Sequence, residues 1–201
     1  RDEYKYLENG FMMDGQYGWP LVTGVPFVLY YNENILADLG ESAPETWEDF
    51  ERICKAATKD TDGDGEIDQY GYACGMSTSD VGAMQILNAY YYSALWQNGG
   101  QIYADDLKKV AFADEAGTEA VTWIKDMVQY MNPDFMSLSW SDAFATVFGE
   151  GKAAFGVYRS SQTDVTVFAE TYRDVKWDFI TSLKNKEFGT FGATDCLTLM
   201  S

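Results

Sequence analysis

The chain holds no histidine, three cysteines, four prolines and few basic residues, and it lacks any long hydrophobic run. Each shortage excludes a class of chemistry. Imidazole is the commonest general base and transition-metal ligand near neutral pH, so a Ser-His-Asp triad and a His-built zinc site are both ruled out. Cys54, Cys74 and Cys196 cannot all pair, and none stands in a C-x-x-C spacing, so they read as small core residues. Lysine and arginine number 14 against 32 aspartates and glutamates, a net charge of -18 that repels phosphate backbones and anionic headgroups. Nucleic acid and membrane surfaces are therefore poor partners. The longest strongly apolar run, Val25 to Tyr31, falls far short of the roughly 20 residues of a membrane helix, and nothing near Arg1 resembles a secretory signal. The stretch reads as soluble and unanchored.

What is present is ordinary globular material: 201 residues, 46% hydrophobic and 23% charged, enough to bury a core. Aromatic residues reach 16%, more than core filling usually asks for, and flat rings can face a ligand while staying packed. Val25 to Tyr31, rich in β-branched and aromatic residues, fits a strand buried on both faces. Asn32 then caps a short helix ending at Gly40, and Thr46 with Asp49 forms a capping-box pair ahead of Phe50, Ile53, Cys54 and Ala57 at helical spacing. Tyr70, Tyr72 and Cys74 alternate as a strand. A helix capped near Ser79 or Asp80 carries Ala83, Ile86, Leu87, Tyr90, Ala94 and Leu95 up to Gly99-Gly100. Asp114 caps the next helix, stopped before Pro133, and Ser141 is expected to cap another. Ala153 to Tyr158 reads as a strand, Ser160 or Ser161 starts a short helix through Phe168, and Val175, Trp177 and Phe179 alternate in a further strand. Helices alternating with strands predict an α/β domain with a largely parallel sheet flanked by helices.

The sharpest local signal runs from Asp60 to Asp68. Oxygen-bearing side chains at relative positions 1, 3, 5 and 9 (Asp60, Asp62, Asp64, Asp68), Gly65 at 6 and the Glu66 carbonyl at 7 follow the calcium loop of an EF-hand. Position 12 breaks the pattern, being Gly71 where a bidentate Glu belongs. The loop is thus a calcium site completed from elsewhere or a solvated acidic turn. A second signal joins Trp140, before a helix start, to Tyr158-Arg159-Ser160-Ser161-Gln162, between a strand end and a helix start. Ligands of α/β sheets gather at such places, and an aromatic followed by Arg, Ser and Gln suits a polyol, although Tyr158 is equally readable as a packed strand residue. Carboxylate pairs suited to glycoside hydrolysis exist among 32 acids at any chosen spacing, so they discriminate nothing.

Several motifs in order resemble the extracellular solute-binding proteins of sugar-importing ABC transporters, the family of the maltose-binding protein. They are Tyr17-Gly18-Trp19-Pro20, Leu29-Tyr30-Tyr31-Asn32 with Glu33, Pro44-Glu45-Thr46-Trp47-Glu48-Asp49-Phe50, Asp62-Gly63-Asp64-Gly65 with Asp68-Gln69-Tyr70-Gly71, Asn98-Gly99-Gly100, and Phe148-Gly149-Glu150-Gly151-Lys152-Ala153-Ala154-Phe155. The resemblance implies a type II periplasmic-binding-protein-like lobe, one half of a two-lobed clamshell. Residues 1–22 would be the tail of the first lobe, 23–194 the second, carboxyl-side lobe with both hinge crossings (Thr23 to Phe27 and Phe191 to Thr194), and 195–201 the start of the return segment. It also implies a carbohydrate ligand, an ABC permease as partner, an extracellular or cell-surface location, and a lipoprotein anchor belonging to the full-length protein but absent from this stretch.

On that basis Trp140 and Tyr158 would present ring faces to a sugar, Arg159, Ser160 and Gln162 would hydrogen-bond its hydroxyls, and Tyr90 and Tyr92 are weaker candidates. No catalysis is expected. The rival readings are a carbohydrate-active enzyme using a carboxylate pair and a calcium-stabilised interaction module.

Overall fold

A computed structural model of the chain describes residues 19–78, 84, 86–104 and 108–197. Its frame is a five-stranded sheet. β1 (Trp19–Asn32) lies at the centre, flanked by β3 (Ala153–Arg159) and β4 (Trp177–Ile180), with β2 (Tyr70–Ala73) beyond β3 and β5 (Gly192–Leu197) pairing the first half of β1. Residue alternation along β1 explains its position. Phe27 and Leu29 join one buried cluster while Val28 and Tyr30 join another, so the strand is covered on both faces.

The first cluster is closed by α1 (Glu33–Leu39), α2 (Trp47–Ala57), α3 (Tyr92–Gln97) with the π-helical turn Leu87–Tyr91 before it, and α4 (Glu115–Met127). The second is closed by the π-helical run Phe144–Phe148, which continues α5 (Trp140–Ala143), and by α6 (Gln162–Thr171), while Trp140 itself packs against the first cluster. Helices thus cover both faces of the sheet, as expected for an α/β lobe. Among the described residues, no helix is long and apolar enough to cross a membrane.

The helix starts follow their capping chemistry. Asn32 Oδ1 accepts from the N–H groups of Asn34 and Ile35, and α1 ends at Gly40 in the left-handed conformation. Thr46 and Asp49 make the reciprocal capping box of α2. Asp114 caps α4 through Gly117 N–H at 2.9 Å. The expected caps Ser79 and Asp80, with Ala83 of that helix, lie outside the described residues, as do residues 1–18.

Two expectations are corrected. The sheet is mixed, not largely parallel: β2 and β3 pair in parallel, but β1 is antiparallel to β3, β4 and β5. Helix-strand alternation implies parallel neighbours only when successive strands lie side by side, and here β3 inserts between β1 and β2. The cap of α5 is Ser139 rather than Ser141. Ser139 Oγ accepts from Asp142 N–H at 3.1 Å, so the helix begins at Trp140 itself.

Candidate ligand-binding site

Trp140 and Tyr158 are brought together as the sequence suggests, but not as two free platforms. Pairing of Val28 with Tyr158 sets the tyrosine on β3, and the Ser139 cap sets Trp140 at the first residue of α5. Their ring centroids lie 4.7 Å apart at 30°. Phe144, one turn further along the same helical run, stacks on Tyr158 at 4.5 Å and 16°. Tyr158 thus packs closely on Phe144 and keeps only part of its surface exposed, as does Trp140. Trp140 is half-buried, and Phe27 of β1 meets it edge-on at 5.5 Å.

Arg159 follows at the exposed end of β3. Its guanidinium carbon is 5.5 Å from the Trp140 centroid and 5.9 Å from that of Tyr158, within cation–π range of both, and Nη2 donates to Asp164 Oδ1 at 3.1 Å. The Tyr158 hydroxyl is raised above its ordinary pKa, first by burial and then by Asp164, with Arg159 acting in the opposite sense. Ser160 is engaged: its N–H and its hydroxyl both donate to the Pro26 carbonyl. Ser161 caps α6 and donates its hydroxyl to Asp164. Gln162 opens α6, and its side chain lies outside the described residues.

Tyr90 is a core residue, 7% exposed, whose hydroxyl accepts from Gly75 N–H at 3.2 Å; burial pushes its pKa well up. It therefore drops out of the site, because the π-helical turn carries it inward against Tyr72. Tyr92 belongs to a second aromatic group with Trp96 and Phe191. Trp96 and Phe191 are parallel within 5° at 6.1 Å, and Phe27 links Phe191 to Trp140 at 6.1 and 5.5 Å. Sequence reasoning missed Trp96 and Phe191. The signal that could have found Phe191 was the place on a return crossing that the family resemblance implies for it; Phe27 N–H donates to its carbonyl.

The acidic loop has an ordered geometry. Asp60 accepts from Gly63 and Gly65 N–H at 2.6 and 2.8 Å, Asp62 from Asp64 N–H and Asp64 from Glu66 N–H. Gly65, at φ +96°, takes a turn that side-chain-bearing residues rarely adopt. Carboxylate oxygens of Asp60, Asp62 and Asp64 lie within 4.8 Å of one another. The donors of Gly65 and then Gly63 hold Asp60 below the usual carboxylate range. Asp68 is not one of the three, and both its oxygens accept from Thr61. Glu66 is exposed and outside the triad of carboxylates. Position 12 cannot hold a ligand at all, because a Cβ on buried Gly71 would lie 2.5 Å from the Cys54 carbonyl oxygen.

The architecture has many solved relatives. A solute-binding protein of an ABC transporter from Thermotoga lettingae, bound to alpha-D-tagatose, is 18% identical with a TM-score of 0.69, the match covering 96% of this chain and 48% of that one. The cyclic alpha-maltosyl-1,6-maltose binding protein of Arthrobacter globiformis is 18% identical with a TM-score of 0.71, over 98% and 47% of the two chains. A solute-binding protein of Agrobacterium radiobacter in complex with ribitol is 19% identical with a TM-score of 0.68, over 92% and 44%. The chain thus spans about half the length of these proteins and shares the fold of a periplasmic-binding-protein-like sugar-binding lobe. No curated protein matches. The model of the bacterial extracellular solute-binding proteins matches residues 2–194, and the chain belongs to that family.

Proposed function

We propose that this chain is the carboxyl-side lobe of an extracellular solute-binding protein that hands a sugar, polyol or oligosaccharide to an ABC permease. The observation that carries the reading is the half-buried Trp140 ring beside the paired segments Val25–Pro26 and Gly192–Ala193, the place where two lobes of a clamshell would meet. Family membership and relatives bound to tagatose and ribitol support the ligand class. In this reading residues 1–22 end the first lobe, 23–194 form the second with both crossings, and 195–201 begin the return. A lipid anchor and the permease contact belong to the whole protein.

Trp140 stacks on the apolar CH face of the ligand, and Arg159 and Gln162 donate to hydroxyls. Ser160, already bonded to Pro26, acts chiefly by fixing the end of β3 to the crossing strand. The protein binds without catalysing. The acids beside the platform, Asp142 and Asp164, are already engaged by Ser139, Ser161 and Arg159, which leaves no poised acid-base pair there. The Asp60, Asp62 and Asp64 carboxylates with the Glu66 carbonyl hold a structural calcium ion, water completing the shell where Gly71 and Asp68 do not.

Titrating D-tagatose, ribitol and a maltose-series oligosaccharide into the chain, with tryptophan fluorescence and product analysis in parallel, tests the reading. Binding with unchanged ligand is expected. Turnover of a glycan, or indifference to every sugar and polyol in the presence and absence of calcium, overturns it.

A further inference from the structure

β2 ends at Ala73, and the next four residues, Cys74 to Ser77, run along the segment that leads into α5. Each of their backbone N–H groups has its own acceptor. Cys74 N–H donates to Asn132 Oδ1 at 2.8 Å, and Gly75 N–H donates to the Tyr90 hydroxyl at 3.2 Å. Met76 N–H donates to the Phe135 carbonyl at 2.6 Å and Ser77 N–H to the Leu138 carbonyl at 2.9 Å. Buried Asn132 is held in turn by Asp134, to which its Nδ2 donates at 2.7 Å.

Buried Gly75 abuts the start of α5. A Cβ at this position would lie 2.1 Å from the Ser139 carbonyl oxygen, 2.4 Å from the Ser139 carbonyl carbon and 2.8 Å from the Trp140 nitrogen. All three atoms are backbone, so no flexible side chain can move aside for a methyl. Gly75 is not among the glycines with positive φ, so space rather than backbone conformation demands it here.

Ser139 and Trp140 are the N-cap and first residue of α5, which is only four residues long. A helix so short has little stability of its own, and its place is set by what packs against it. The backbone of Gly75 is part of that packing, and the Tyr90 hydroxyl holds it.

We propose that Gly75 and Tyr90 are positioning residues for the Trp140 platform. Gly75 lets the chain leaving β2 lie against the Ser139–Trp140 backbone, and Tyr90 keeps it there by accepting the Gly75 N–H. Both act through the placement of the indole. The inference rests on the reading of Trp140 as the surface on which a sugar stacks.

The test compares Gly75→Ala, Tyr90→Phe and Trp140→Ala with the parent chain. D-tagatose, ribitol and maltotriose are titrated into each, and the indole resonances of the ¹⁵N-labelled chain are recorded without ligand. The Trp140 signal is assigned by its loss in Trp140→Ala, and Trp177, which packs on the second cluster, serves as the internal reference. In Gly75→Ala and Tyr90→Phe the Trp140 signal should move while that of Trp177 stays. Sugar affinity should fall about fivefold or more in Gly75→Ala and about threefold in Tyr90→Phe, the size expected for one lost hydrogen bond. Tyr90→Phe keeps the ring and decides the matter should Gly75→Ala fail to fold. An unmoved Trp140 signal, or parental affinity in the variants beside a weakened Trp140→Ala, overturns this inference alone. Parental affinity in Trp140→Ala overturns the platform and this inference with it. Should the parent chain bind none of the three ligands, the proposed function fails, and the indole signals still decide whether Gly75 and Tyr90 place Trp140.

Discussion

Ser160 donates twice to one acceptor: its backbone N–H and its hydroxyl reach the Pro26 carbonyl at 3.1 and 3.2 Å. The end of β3, which carries Arg159, is thereby fixed to β1. Ser160→Ala keeps the backbone bond and removes the other, so a loss of about 1 kcal/mol in chemical denaturation is expected, the net worth of one ordinary hydrogen bond. Sugar affinity should change less than twofold if the hydroxyl serves the strand rather than the ligand.

Trp140 and Tyr158 should respond differently to mutation. Trp140→Ala removes the platform, and sugar affinity should fall at least about tenfold, or about 1.4 kcal/mol. Tyr158→Phe keeps the ring in contact with Phe144 and Trp140 and should leave affinity within about twofold. Calorimetric or NMR titration reads both. Equal losses would return Tyr158 to the ligand face.

Calcium should raise the melting temperature at neutral pH, and Asp62→Ala should abolish the rise. Asp60 has its folded-state pKa lowered by Gly65 and Gly63 N–H donors, so its contribution is present above the unfolded value and disappears only as pH falls through the lower folded value. The calcium response should therefore persist to about pH 4 and fade below it. Thermal melts with calcium and with chelator across pH 3–7 check this.

Gly71→Ala brings a methyl into the Cys54 backbone, with contacts near 2.5 Å. Overpacking of this kind costs about 1–3 kcal/mol, and the backbone cannot swing aside like a long side chain. Urea denaturation should show the loss with or without calcium, since the position holds no metal ligand.

Cys54 and Cys74 should be silent to thiol reagents in the native state. Burial pushes the Cys74 thiol up to about 12 and the Cys54 thiol well up as well. A folded pKa above the unfolded value stabilises fully below the unfolded value near 9 and loses that contribution as pH rises. Stability should accordingly decline between about pH 9 and 12, with thiol labelling rising in step as the chain unfolds.

The local grammar of the sequence was largely readable. Asn32, Thr46, Asp49 and Asp114 cap the helices expected of them, because a cap is a bond between residues two or three apart. Ser139 and Ser141 stand less than one turn apart and either serine suits a cap, so the sequence does not separate them; the cap at Ser139 makes Trp140 the first residue of the helix. Strand polarity was not readable, since it depends on β3 entering between β1 and β2. The site divides the same way. Trp140, Tyr158 and Arg159 converge as their positions suggested, yet only tertiary packing stacks Phe144 on Tyr158 and turns Tyr90 inward.

The pairing of β1 with β5 joins Val25 to Ala193 and Pro26 to Gly192, residues almost the whole described chain apart. Closing so long a loop costs chain entropy that no local bond returns, so this ladder has to wait until the rest of the sheet has brought its ends together. A ladder of that kind is expected to form late in folding. A segment that can open without melting the core is the kind of element about which a hinge can turn.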